Sequence, residues 1–229
     1  MKKIRNLILL VAAGLAPAAY SATTTYTFTG GTTALSNGIA NASGVAFQNS
    51  TNPAFAGAGT IAWGIFSITD SQISAAASAS TLVSAFSNWN GVTSTFNSPG
   101  PSGARGVFNF NAAARDLTVA GPTGGADFAG KNMYVFVGNG TTFALSNEFL
   151  VLKTTFTFNT AESGPTAFTK TLTRSNATTL IGTEVANVFT TTADVSTTPG
   201  WNTAAVVPEP SAALLGAVGA LGLLRRRRN

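Results

Sequence analysis

The acidic side chains are the strongest candidates for chemistry in this chain, because paired Asp or Glu residues can catalyse the hydrolysis of glycosidic bonds or bind calcium. Residues 22–207 contain seven acids, and Asp116, Asp127 and Glu148 are the three best placed in predicted loops. They are scattered and no Asp-x-Asp-x-Asp loop occurs, so solvated or Arg-paired surface acids are the better interpretation. We predict no catalytic residue and no metal site. A glycan-active enzyme using these carboxylates, or one calcium ion at Asp116 or Asp127, stays an alternative.

The chain contains neither cysteine nor histidine. Disulfides, thiolate nucleophiles and zinc–thiolate sites are thereby excluded, as are the commonest general base and the commonest transition-metal ligand. A Ser–Lys dyad lacks any Ser-x-x-Lys spacing to support it. The stretch Gly57–Ala62 matches G-x-G-x-x-A, but it precedes a predicted strand instead of following one, so it indicates no dinucleotide site. We therefore expect no enzyme activity and no cofactor.

Aromatic side chains offer a second kind of chemistry, since flat rings stack on the apolar faces of sugars. Trp63 lies in the most apolar predicted strand and is assigned to the core. Trp89 at the end of a predicted helix and Trp201 in a predicted linker are candidates for ligand binding, together with Asp116 and Asp127. These residues make a carbohydrate-binding module for polysaccharide one alternative function.

The charge of the chain is concentrated at its two ends. The formal net charge is +5, but residues 22–207 carry six positive and seven negative side chains, which gives that interior a net charge of −1. Nucleic-acid binding requires a basic patch on the folded body to replace counterions. We therefore expect no nucleic-acid partner.

Residues 1–21 have the pattern of a secretory signal peptide. A basic start at Lys2, Lys3 and Arg5 precedes the apolar run Leu7–Leu15, which is shorter than the roughly 20 residues that a spanning helix needs. Small residues then fit a cleavage site near Ser21. This pattern predicts export by Sec-type machinery.

Residues 207–229 combine three features in a fixed order. Pro208, Glu209 and Pro210 form an extended, accessible motif, because proline disfavours helix at the residue before it. Ser211–Leu224 is an apolar run of 14 residues. As a helix it covers about 21 Å, less than the roughly 30 Å hydrocarbon core, so we expect only transient membrane insertion. Four arginines follow: Arg225, Arg226, Arg227 and Arg228. By the positive-inside rule, they would hold this end in the cytoplasm.

This tail resembles the PEP-CTERM sorting signal of bacterial proteins that are handled by exosortase, a transpeptidase-like membrane enzyme. The resemblance covers residues 207–229 and rests on the coincidence of the three features. It implies an exosortase-type partner, processing near the Pro-Glu-Pro motif, and a precursor tethered at the inner membrane. It further implies delivery to the outer cell surface or to an extracellular matrix of exopolysaccharide and biofilm, and it says nothing about the middle of the chain.

Residues 22–190 are predicted to form one mainly β domain, an antiparallel β-sandwich or jelly-roll-like fold. Runs rich in Thr, Val, Ile, Phe and Tyr recur between loops rich in Gly, Asn and Pro. Thr25–Thr29 alternates as a half-buried strand does. The Asn139-Gly140 pair predicts a hairpin turn between strands at 133–137 and 142–145.

A single helix interrupts the strands. Its apolar residues fall near a period of 3.6 from a cap at Asp70 or Ser71 toward Trp89. Residues 191–206 are small and polar and are predicted to be a flexible linker, followed by a short apolar helix in the tail. The sequence thus favours an exported, non-catalytic surface or matrix protein. A carbohydrate-binding module is the first alternative and a glycan-active enzyme is the second.

Overall fold

The prediction of a mainly β body is confirmed by the computed structural model of the protein. The predicted signal peptide at 1–21 and the predicted sorting tail from residue 207 onward lie outside the described residues. The structure describes residues 23–30, 38–47, 59–90, 94–96, 108–111, 113–121, 124–160, 165–186 and 199–206.

The regular elements of the described chain are mostly short strands. The strands are β1 (Thr23–Gly30), β2 (Gly38–Ala40), β3 (Thr60–Phe66), β4 (Phe86–Asn88), β5 (Ser94–Thr95), β6 (Phe108–Asn111), β7 (Arg115–Asp116), β8 (Asn132–Gly138), β9 (Glu148–Thr157), β10 (Thr166–Leu172), β11 (Ala177–Ile181), β12 (Thr183–Val185), β13 (Gly200–Asn202) and β14 (Ala204–Ala205). The helices are α1 (Asp70–Ser74) and α2 (Ala79–Ala85), with 3₁₀ turns at Phe143–Leu145 and Arg174–Asn176.

These strands form three sheets. The central sheet has the order β11-β9-β8-β3-β4, with β14 added beside β9 and β5 beside β3. A second sheet has the order β10-β1-β6, with β7 also pairing with β1, and a small third sheet has the order β12-β13-β2. Pairing is antiparallel except between β1 and β10 and between β2 and β13, which are parallel. The sheets are therefore mainly antiparallel, as predicted.

The central sheet is buried on both faces. Every residue of β3 is buried, and so is every residue of β8 after Asn132. On one face Trp63 stacks on Phe28 of the second sheet, with 4.5 Å between ring centroids. On the other face Phe136 belongs to a cluster that includes Leu82 of α2. Burial on both sides explains why these strands read as continuous apolar runs, and each buried large side chain contributes roughly 1.5–3 kcal/mol.

The helical layer differs from the single predicted helix. Thr69, not Asp70 or Ser71, caps α1 through a capping box with Gln72, and α1 ends at Ser74. A second cap, Ser78, then starts α2. Residues Phe86–Asn88 leave the helical path because they pair with β3 as strand β4. The near-3.6 spacing up to Trp89 was therefore misleading, since pairing with the sheet overrides it.

The predicted hairpin exists, but its loop is longer than two residues. Strand β8 is followed by β9, and the residues at 142–145 form a 3₁₀ turn instead of a strand. Side chains close the loop from inside: Asn139 Oδ1 accepts from the backbone N–H of Asn147, and Ser146 Oγ accepts from that of Gly140. These bonds replace the ladder bonds that a tight Asn-Gly turn would need.

The predicted linker is wrong for residues 199–206. Strand β13 lies between β12 and β2, and β14 pairs with β9. Trp201 in β13 is fully buried. The folded body therefore extends to Val206, because partners distant in sequence bury a segment whose own composition is too polar to fold alone.

Candidate functional site

The predicted carboxylate trio is not gathered into one constellation. Asp116 ends β7, where its Oδ1 accepts hydrogen bonds from the N–H (2.9 Å) and the hydroxyl (2.7 Å) of Thr118. This geometry is a turn-stabilising use of aspartate. Asp127 lies in the loop that follows and is exposed. Across the described ranges, no three acids or other metal-ligating residues lie close enough to hold an ion.

Glu148 has a different position, at the first residue of β9. One of its carboxylate oxygens accepts from the backbone N–H of Ala42 (2.9 Å) and from the hydroxyl of Thr203 (2.8 Å). It thereby joins the chain before β14 to the turn after β2. We infer a bridging role for Glu148, because one of its carboxylate oxygens accepts from two donors in different segments.

The two candidate tryptophans are inside the protein. Trp89 and Trp201 are both 0% exposed. Trp89 donates from Nε1 to the carbonyl of Ala113 at 2.9 Å and stacks on Phe158. Neither ring can stack on a sugar at the surface, which corrects their assignment as ligand-binding residues. The physical reason is that both follow or form strands that turn them into the core between the sheets.

Arg115 is a buried cation that no motif or spacing in the sequence indicates. Its Nη1 donates to the carbonyl of Gly124 at 2.7 Å and its Nε donates to the carbonyl of Trp89. The guanidinium lies 5.6 Å from the Trp89 ring and 5.5 Å from the Phe128 ring. Burial lowers the pKa of Arg115. The side chain ties the loop carrying Asp127 to the aromatic core.

A polar cluster joins the helical layer to the central sheet. Tyr134 donates its hydroxyl to Asp70 Oδ1 at 2.7 Å, and Lys153 Nζ lies 2.6 Å from Asp70 Oδ2. The bond from Lys153 lowers the pKa of Asp70, while burial and the Asp70 carboxylate raise the pKa of Tyr134. Because all three groups satisfy one another, this cluster fixes α1 on the sheet and leaves no free base.

A shallow polar pocket lies beside this cluster. It encloses about 290 Å³ and is lined by Ile65, Phe66, Gly130, Lys131, Asn132 and Tyr134. Its volume is at the lower limit of ligand pockets. The Tyr134 hydroxyl is committed to Asp70, so these lining residues supply no paired acid and base with which to catalyse a reaction.

Lys170 occupies an unusual place on β10, which is an edge strand of the second sheet in the described part of the chain. Its register partner on β1 is Phe28, whose side chain is fully buried between the sheets. The ammonium lies 5.3 Å from the ring of Phe156 and 5.5 Å from that of Phe168. A charge held on the inner face of an edge strand disfavours pairing with another chain.

The Pro-Glu-Pro motif follows the last strand of the folded body closely in sequence. Strand β14 pairs with the start of β9, and Val206 donates its N–H to the carbonyl of Asn147 at 3.3 Å. Only Val207 then separates the last described residue from Pro208. The motif and the arginines Arg225–Arg228 themselves lie outside the described residues.

Within the described ranges, the chain forms a mainly β, β-sandwich-like body with an added helical layer and a polar cluster of Asp70, Tyr134 and Lys153. No protein-family model, no curated protein and no solved structure matches the chain. None of the helices in the part of the chain that the structure describes is long and apolar enough to cross a bilayer.

Proposed function

We propose that this chain is an exported, non-catalytic protein of the bacterial cell surface or extracellular matrix, sorted and processed through its C-terminal tail. The observation that carries the proposal is the order of three features, a Pro-Glu-Pro motif, an apolar run of 14 residues and four arginines. Each feature has a separate physical role. The motif presents an extended peptide, the apolar run enters the bilayer, and the arginines hold the end in the cytoplasm.

The composition of the body is compatible with a location outside the cell. Stability comes from aromatic packing and sheet pairing, since the chain has no cysteine to form a disulfide. Trp63, Phe28 and Phe136 lie in two clusters that bury both faces of the central sheet. Such a core does not depend on the redox state of its surroundings.

The hydrogen bonds and ion pairs that engage the acidic side chains support a non-catalytic role. Asp70 is held by Tyr134 and Lys153, Asp116 by its own turn, and Glu148 by two donors from other segments. A glycosidase needs one acid and one base flanking a bond. A carbohydrate-binding module would need rings other than Trp89 and Trp201, which are buried.

The short distance in sequence between strand β14 and the Pro-Glu-Pro motif supports processing close to the folded body. Strand β14 is paired with β9, so the motif begins only a residue or two beyond a hydrogen-bonded strand. A processing enzyme in the membrane would therefore work beside the folded domain. The released product would carry the whole body to the surface, where it would associate with exopolysaccharide.

The test uses Glu209→Gln in the native host, with Glu184→Gln as the matched control. Glu184 forms an exposed ion pair with Arg174 far from the tail in sequence, so its replacement should leave sorting intact. We expect the Glu209→Gln precursor to stay membrane-bound and uncut, while wild type and control reach the surface fraction shortened at both ends.

Mass spectrometry of the surface and membrane fractions measures both cleavage points directly. Equal release of wild type and Glu209→Gln would contradict the role of the motif. An intact chain in the cytosol would refute the proposal as a whole.

A further inference from the structure

The end of the central sheet from which the tail leaves carries an exposed apolar side chain. In antiparallel pairing with β9, Ala204 lies opposite Phe149 and Ala205 lies opposite Glu148. Strand β14 therefore runs toward the loop that joins β8 to β9. The chain leaves the sheet beside this exit loop, residues 139–147, because Val206 is bonded to the carbonyl of Asn147.

The exit loop is uncharged and presents a leucine to solvent. Residues 139–147 contain no Asp, Glu, Lys or Arg. Leu145 is 73% exposed, and Val119, at 47%, is the other large hydrophobic side chain with high exposure in the described chain. The charge next to the loop belongs to Glu148, whose carboxylate is already held by two donors.

The exit loop is also well ordered by its own bonds. Ser146 Oγ accepts from Gly140 and donates to the carbonyl of Thr142. A side chain at Gly138 would collide with Ser146, so the loop is closely packed on the end of β8. Leu145 is thus held outward by the backbone, and little conformational entropy would be lost on contact with a surface.

The chain length beyond the body places this loop near a bilayer. Four residues, 207–210, separate Val206 from the start of the apolar run at Ser211. From Val206 to Ser211 the chain advances five residues and spans at most about 18 Å when fully extended. The polar interface of a bilayer is itself roughly 5–8 Å thick on each side, so the end of the sheet lies at or just above the headgroups when the tail is inserted.

We propose that the exit loop is a membrane-contact surface of the precursor, with Leu145 entering the boundary between headgroups and acyl chains. This inference rests on the proposed function, because it requires the tail to be inserted. An uncharged loop with one apolar side chain suits the interface, where charged groups would keep their water. The contact would orient the body relative to the bilayer.

The test places a fluorescent reporter at the loop. The three native tryptophans are at most 1% exposed, so they contribute a shielded background. Full-length Leu145→Trp and Val119→Trp are each reconstituted from detergent into phosphatidylcholine liposomes with and without brominated acyl chains. Unchanged thermal melting confirms that both variants fold, as expected for exposed positions.

We expect brominated lipid to quench the fluorescence of the introduced tryptophan in Leu145→Trp by at least about half. The fluorescence of the introduced tryptophan in Val119→Trp should change little. Equal, weak quenching in both variants, with both floating with the liposomes, would overturn the membrane contact and leave the proposed function standing. Failure of the full-length protein to float would overturn tail insertion, and the membrane contact with it.

Discussion

Replacing Trp201 by alanine should destabilise the protein strongly, because this side chain is fully buried in β13. Truncation of a buried Phe or Trp costs roughly 3–5 kcal/mol. The indole N–H of Trp201 has no hydrogen-bond partner among the described residues, so the loss arises from packing alone. Against a total stability of about 5–15 kcal/mol, this is a large fraction.

Urea denaturation followed by far-ultraviolet circular dichroism measures the effect on protein purified from the surface fraction. With a dependence on urea of about 2 kcal/mol/M, the transition midpoint should fall by about 2 M. Leu145→Ala is the control, since an exposed side chain should change stability by less than about 0.5 kcal/mol. A loss below about 1 kcal/mol for Trp201→Ala would show that residues 199–206 behave as the flexible linker that their composition predicts.

Two further predictions concern charged side chains. The pKa of Asp70 is lowered in the folded state, so its ionised form stabilises the protein above its unfolded pKa and this contribution disappears as pH falls toward the folded value. Asp70→Asn should therefore lower stability by under about 1 kcal/mol at pH 7, given the exposure of the pair. The difference between the thermal melts of variant and wild type should begin to shrink below the ordinary Asp pKa of 3.8 and vanish as the pH falls through the lowered folded pKa; a gap that does not shrink with falling pH would contradict the assignment. Lys170→Leu should associate with increasing concentration in light scattering, because it removes the inward charge from an edge strand. Lys131→Leu makes the same change in net charge at an exposed position, and equal association of both variants would argue against edge pairing.

Much of the fold could be predicted because its strongest signals are local. The alternation predicted for Thr25–Thr29 matches the burial of β1 as far as Phe28, after which Thr29 is buried as well, and the apolar run at β3 matches a strand buried on both faces. The predictions that were wrong concern segments whose structure depends on partners distant in sequence. The spacing of Phe86 fits the predicted helix, but in the structure this residue pairs with Phe66 as part of a strand. The short strands at 200–205 take their stability from β2, β9 and β12, so their own residues carried little signal.

The candidate sites divide in the same way. The tail could be interpreted from the sequence because its three features are contiguous in residues 207–229. The cluster of Asp70, Tyr134 and Lys153 could not, since Tyr134 and Lys153 lie 64 and 83 residues from Asp70. Trp89 and Trp201 were misassigned because an aromatic residue beside a turn has the same sequence pattern whether it faces solvent or the core.

The parallel pairing of β1 with β10 has a consequence for how the body can assemble during export. Thr24 lies beside Thr166, and Gly38 of β2 lies beside Gly200. The first strand to emerge from a translocation channel therefore lacks one of its two neighbours in the sheet, β10, until more than a hundred further residues have crossed. Such non-local contacts slow folding. In the proposed route, the polypeptide stays largely unfolded until almost all of it has crossed the membrane. Its final strand then completes the central sheet just as the apolar tail reaches the bilayer.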